Sequence, residues 1–252
     1  MIKGLYTSAA SMLTNKRQLD VVSNNLANAD TTGYKKDETI QEAFPEMLLS
    51  RMSGGEKEAT IGELGTGVNI DETYTSHRQG NLQRTGNELD LAIEGEGYFV
   101  VDTPMGESYT RNGNFTLNNE GQIVTQQGYP VLGEDGEPLQ TINERDIHVD
   151  GNGQIHLGDL EGGSLQVVDF EDSSDLEKVG DNLYQPVEDD IESEEAEDYS
   201  VAQGHLEQSN VNIVREMVNM IEANRHYQTN QKVIQKADST LDQAVNQVGR
   251  VG

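Results

Sequence analysis

Apolar residues recur at every seventh position at both ends of this chain, and the stretch between them follows a different period. At the N-terminal end Leu5, Met12, Leu19 and Leu26 hold the spacing, with Ala9, Val22 and Ala29 at intervening positions on a similar face. From Lys3 to Ala29 there is no proline, and Gly4 is the one glycine. This pattern predicts an amphipathic helix with coiled-coil spacing, about 40 Å long at a rise of 1.5 Å per residue. Lys16 and Ser23 interrupt the second seam position, so the stripe is narrow, and Gly33 is the expected stop. The C-terminal end is more regular. Ile213, Met220, Tyr227, Ile234, Leu241 and Val248 keep strict seven-residue spacing, and Ala223, Ala237 and Ala244 sit three residues after members of that series. Small residues there allow close helix approach, while Asn230 in the same series is the kind of seam amide that fixes register. Neither proline nor glycine falls between Glu207 and Gln247, which allows a helix of roughly 60 Å.

The middle reads as β structure. Leu89–Ile93 alternates, Tyr98–Val101 is a short apolar run, and 115–117, 122–124, 154–157 and 164–168 follow as short apolar or alternating segments. Asn112-Gly113, Asn118–Gly121, Asp135-Gly136 and Asp150-Gly151 separate them as turns, and Gly95-Glu96-Gly97 reads as the turn leading into the next strand. Short strands without intervening long helices imply an antiparallel β domain, spanning roughly 76–185. The expected fold is α+β: long N- and C-terminal helices pairing as a coiled coil, with an inserted antiparallel β domain. By segment, 1–35 and 205–252 form a helical assembly domain and 36–75 an extended linker. The β-rich domain covers 76–204, and its dense acidic run at 188–198 reads as a solvated loop.

Composition removes several function classes. Acidic residues number 45 against 17 basic, a formal charge of −28. Phosphate contact needs a lysine–arginine patch, so nucleic acid is not an expected partner. Acidity spread along the chain serves solvation, above all in high salt, and suggests a salt-adapted source. There is no cysteine, which excludes disulfides, thiolate catalysis and zinc–cysteine sites. No stretch approaches the roughly 20 apolar residues that cross a bilayer, and the N-terminus, reaching Lys16 and Arg17 without an apolar run, does not read as a cleavable secretory signal. With 34% hydrophobic residues and no tryptophan, the core is modest, and some apolar surface is expected to find its partner on another molecule.

No catalytic motif emerges. The histidines at 77, 148, 156, 205 and 226 form no metal-spaced pair on a helix. Asp150, Asn152, Gln154 and Glu161 fall at calcium-loop positions, but Ile155 stands where that loop needs glycine, and no helices flank it. Carboxylate pairs are too common to single out a glycosidase-like pair, and the sugar-stacking tryptophan is missing. The expectation is a non-enzyme with no cofactor and no metal.

The helices carry one unusual feature, the amide-rich run Ser23–Asn28. Asparagine is a poor helix former, so the run is either a solvated face or a second interface, and the residues alone leave both open. Here a family resemblance enters. Leu19–Asn28 with Thr31-Thr32-Gly33-Tyr34-Lys35 closely resembles the N-terminal signature of flagellar rod and hook proteins. Gly204–Asn212 with Glu216–Ile221 resembles the matching C-terminal signature. Thr66–Val68, Gln79–Leu82, Thr85–Ile93 and Tyr109–Gly113 are similar to the family's middle.

The resemblance implies a cylinder of many copies, with the terminal helices as inner wall and β domains outside. It implies export through the flagellar type III apparatus and termini that stay disordered until docking. The expected partners are further copies and other rod or hook proteins, in the flagellar basal body, without membrane insertion. Compact size and a single β domain favour a rod subunit, with a hook or hook-associated subunit as the alternative. An acidic secreted protein that binds cations or glycans is the alternative of another class. The expected assembly surface is Leu5, Met12, Leu19, Val22, Asn24, Asn25, Leu26 and Asn28 on the first helix. On the second it is Ile213, Met220, Tyr227, Ile234, Leu241 and Val248.

Overall fold

A computed structural model describes residues 2–44, 47–53, 56–65, 67–141, 147–157, 160–188, 191, 193–196 and 198–248, without the side chains of 2, 3, 47–53, 56–64, 160, 161, 247 and 248. The chain is α+β, with one long helix at each end and antiparallel sheets between. It divides into two compact units: residues 1–27, 37–74 and 212–252, and residues 28–36 and 75–211.

The first unit holds both helices, α1 (Ile2–Ala27) and α2 (Ile213–Val248), which pack against each other. Among the described residues, neither is long and apolar enough to cross a membrane. α1 ends six residues before Gly33, at a turn in which the Thr31 amide donates to the Asn28 carbonyl. α2 starts six residues later than the uninterrupted sequence allows. Asn212 caps it, its Oδ1 accepting from the Arg215 amide at 3.0 Å, and Glu207 belongs to a strand. Residues 36–75, expected as a linker, contain four strands: β1 (Asp37–Ala43), β2 (Met47–Ser53), β3 (Glu56–Leu64) and β4 (Val68–Thr75). β2 pairs with β3 and β1 with β4. Strands whose exposed residues lack alternation, as in β1 and β4, look like unstructured extended chain until the pairing partner is known.

Among its described residues the second unit is built of strands, with one short 3-10 turn at Ser173–Asp175. Its strands are β5 (Leu82–Arg84), β6 (Leu91–Gly95), β7 (Tyr98–Thr103), β8 (Gly106–Thr110), β9 (Phe115–Leu117), β10 (Ile123–Thr125) and β11 (Ile147–Val149). These are followed by β12 (Gln154–Leu157), β13 (Leu160–Ser164), β14 (Val167–Asp169), β15 (Leu176–Gly180), β16 (Leu183–Pro186), β17 (Glu194–Glu195), β18 (Tyr199–Gln203) and β19 (His205–Glu207). A six-stranded sheet in the order β15-β16-β8-β7-β14-β17 is its centre.

Period-two alternation sends neighbours on a strand to opposite faces, and here both faces are buried. Phe99, Val101, Val167 and Leu183 join one core cluster, with Ile123, Ile155 and Leu165. Tyr98, Val100, Val168 and Tyr184 join the other, with Tyr109, Phe170 and Leu176. Burial on both faces is why 98–101 is a continuous apolar run rather than an alternating one. Aromatic edges lock each layer: Phe99 meets Phe115 at 5.2 Å between ring centroids, and Tyr109 meets Phe170 at 4.9 Å.

Gly95 and Gly97 form the β6–β7 connection, with φ of 105° and 121°, and a Cβ on Gly95 would meet the Asp198 carbonyl. Within the acidic run, Glu194 and Glu195 add an edge strand paired with Asp169 and Val168. Asp150 Oδ1 accepts from the amides of Asn152 and Gln154, closing the β11–β12 turn.

Candidate functional site

The expected helical surface divides by burial. On α1, Val22 is buried and Leu5, Met12, Leu19 and Leu26 are half-buried, while Asn24 is exposed. Asn25 is buried, its side chain bonded to both backbone groups of Asp37. Asn28, at the edge of the second unit, is half-buried, and its Oδ1 accepts from the Thr31 hydroxyl. On α2, Met220, Tyr227, Ile234 and Leu241 are half-buried, Ala223 is fully buried, and Ile213 is exposed. The side chain of Val248 lies outside the described residues. One seam is thus partly covered within a single chain, and a second stripe is not: Val214, Met217, Val218 and Ile221 stand 48–72% exposed. Their i, i+3, i+4, i+7 spacing places them on one face, about 140° around the helix from the seam at 100° per residue.

The second unit gathers four motif segments that lie far apart in sequence. Lys35 and Glu207, 172 residues apart and each 1% exposed, pair through Nζ and Oε1 at 2.6 Å. The same Oε1 accepts the Gly80 amide at 2.7 Å, and Lys35 Nζ also donates to the Arg78 carbonyl. Arg111 turns Nη1 toward Glu207 Oε2 at 3.6 Å, donates from Nη2 to the Gly95 carbonyl, and lies over the Tyr98 ring at 5.1 Å.

Backbone contacts close the junction. The Gly33 amide donates to the Glu207 carbonyl, and the Asn210 side chain accepts from Lys36 and donates to the carbonyls of Ser76 and Arg78. Gly80 has no room for a side chain, because a Cβ would overlap the Gln208 carbonyl. Burial holds the Lys35 ammonium below its usual range; Glu207 works against that shift, and Arg111 adds to it.

Sequence reading did not find this cluster. Lys35, Gly80 and Arg111 stand in the sequence only as letters of the motifs, Gly33 reads as a helix stop, and Glu207 reads as the start of a helical stretch. The available signal was the presence of charged residues inside otherwise polar-neutral motifs. The cluster brings two buried cations to one buried carboxylate, an arrangement suited to holding chain segments together. Among the described residues no group of three histidine, aspartate or glutamate side chains is placed to hold a metal.

Comparison with known proteins fits this arrangement. The flagella basal body rod protein family matches residues 5–35, the D1 domain of the flagellar hook protein FlgE/F/G matches 92–157, and the flagellar basal body rod FlgEFG protein C-terminal family matches 202–248. The first and third contain Lys35 and Glu207. The chain is 35% identical to the flagellar basal-body rod protein FlgG of Bacillus subtilis, over 98% of its own length and 99% of the relative's. It is 34% identical to the hook-basal body complex protein FlhO of the same organism and 34% to the rod protein FlgF of Caulobacter vibrioides, each covered completely. Matched at both ends and in the middle, and alignable with such relatives from end to end, the chain belongs to the flagellar basal-body rod protein family and is a structural subunit of the rod in the bacterial flagellar basal body.

Proposed function

We propose that α1 and α2 pair as a coiled coil and that the pair is the surface through which copies of this chain, and other axial proteins, build a helical tube carrying torque from motor to hook. The observation that supports this reading is the second apolar stripe on α2. Val214, Met217, Val218 and Ile221 are exposed although the seam on the other side of the helix is engaged with α1. A helix with two apolar faces needs two partners, and a single chain supplies one. Repeated contacts that do not close a ring generate an open helix. The chain acts without catalysis and leaves the cell through the flagellar export apparatus. The seam residues of both helices hold the coiled coil, and Asn24 lies on its outward face.

Replacing Val214, Met217, Val218 and Ile221 together by serine tests the reading. The isolated variant should keep its helix content and its folded β unit, yet form no polymer and fail to restore rods in a strain lacking the protein. Normal rods built from that variant would overturn the proposal. A tagged copy in purified basal bodies should lie below the hook.

A further inference from the structure

We propose that Lys35, Arg111 and Glu207 form a charge-matching latch that makes docking of residues 31–36 onto the β unit conditional on docking of residues 204–211. Each half of the latch belongs to a segment that continues into one of the terminal helices. Lys35 and Arg111 are both buried, and among the described residues the carboxylate facing them is that of Glu207. With 204–211 absent, placing Lys35 at its site would put a second cation beside Arg111 with no anion to match either. An unmatched interior charge costs several kcal/mol, more than the hydrogen bond to the Arg78 carbonyl returns. Residues 31–36 therefore stay in water until Glu207 arrives. Its Oε1 then takes Lys35 and the Gly80 amide, and its Oε2 faces Arg111.

The same step satisfies the backbone. Glu207 supplies the carbonyl for Gly33 N–H, and Asn210 supplies Oδ1 for Lys36 N–H and donates its own amide to the Tyr34 carbonyl. Strands β18 and β19 dock on β6 and β5 alongside. Neither segment is complete alone, so both chain ends become ordered at their roots together, and only in a chain whose C-terminal part has been delivered.

The test is amide hydrogen exchange on the full-length chain. In the unaltered protein the amides of Gly33, Lys36, Gln208 and Asn210 should open as one unit with a common free energy. Glu207→Gln keeps the size of the side chain and an acceptor for Gly80 but leaves two cations unmatched. It should speed exchange at Gly33 and Lys36 by at least about a hundredfold. Exchange at Ile123, bonded to the Leu139 carbonyl, should stay unchanged. Lys35→Met should do much less, because Arg111 and Glu207 remain matched, and Glu207→Gln combined with Lys35→Met, which leaves one cation unmatched instead of two, should recover part of the lost protection.

A role through contact alone predicts the reverse, since Lys35→Met removes more hydrogen bonds than Glu207→Gln. The latch is overturned if Lys35→Met is as harmful as Glu207→Gln, if the double variant is no better than Glu207→Gln, or if Gly33 and Asn210 open independently. Should Glu207→Gln unfold the protein outright, a folded double variant supports the latch and an unfolded one refutes it.

Discussion

Asn25 and Asp37 pair as two strand residues would, one through its side chain and the other through its backbone. Asn25 Nδ2 donates to the Asp37 carbonyl at 2.8 Å, and the Asp37 amide donates to Asn25 Oδ1 at 2.9 Å. The buried amide thereby fastens the first strand to the first helix. Asn25→Ala removes both of these bonds and should cost about 2–4 kcal/mol, read as a lowered urea midpoint. Asn25→Asp keeps the acceptor but turns a carboxylate oxygen toward the Asp37 carbonyl. Its deficit should exceed that of alanine at neutral pH and shrink as the carboxylate is protonated.

Gly33 sits where no side chain fits. Its φ is +67°, and a Cβ would lie 2.6 Å from the Asn112 nitrogen and 2.7 Å from the Arg111 carbonyl carbon. Left-handed backbone alone costs a non-glycine residue roughly 1–2 kcal/mol. Because the clash is with backbone, Gly33→Ala should exceed that range and loosen the junction, visible as faster proteolysis next to residues 28–36.

Ala223 and Ala244 occupy equivalent places in the repeat, yet Ala223 is fully buried and Ala244 exposed. Ala223→Leu should overpack a fully buried site and cost about 1–3 kcal/mol. Ala244→Leu should stay within about 0.5 kcal/mol of the parent. Thermal unfolding followed by helical circular dichroism separates them, and equal effects would deny that the seam is engaged at Ala223 and open at Ala244.

Tyr98 ties stability to alkaline pH. Burial, ahead of other causes, pushes its hydroxyl up to about 12 from 10.0, and Arg111 pulls the other way. The folded chain thus keeps a proton that the unfolded chain has released. The stability tied to it is full below pH 10 and is lost as pH rises through about 12, an amount on the order of 3 kcal/mol. Tyr109 and Tyr199 are raised by burial as well and act in the same direction. Lys35, lowered by burial, acts in the opposite sense below 10.5. Alkaline unfolding should begin near pH 10 with cooperative tyrosinate absorbance. Tyr98→Phe should flatten the loss, even though it starts from lower stability without the bond to His77.

Much of the fold was legible because its signals are local. The seven-residue repeat marks α2 nearly to its observed end, and the half-buried Met220, Tyr227, Ile234 and Leu241 fall on the predicted series. The strands at 98–103, 115–117, 123–125 and 154–157 lie where apolar runs between turns place them. The sequence does not mark β1 to β5, β8, β11 or β15 to β19 as strands, since segments without clear alternation acquire their identity only from the partner they pair with. Of the proposed assembly residues, Asn25 shows how far a side chain's use escapes its sequence context, as nothing near it in the chain announces Asp37 as its partner.

What the sequence determined by itself is the alternation of structure along the chain and membership of a family of axial proteins, both written in local periods and contiguous motifs. What only the tertiary structure decided is which motif letters meet. Lys35, Gly80, Arg111 and Glu207 are separate signals until the β unit folds them into one buried cluster. A heptad repeats its information at every second turn of the helix. An ion pair closed across 172 residues carries it once, and only the folded backbone brings the two ends within reach.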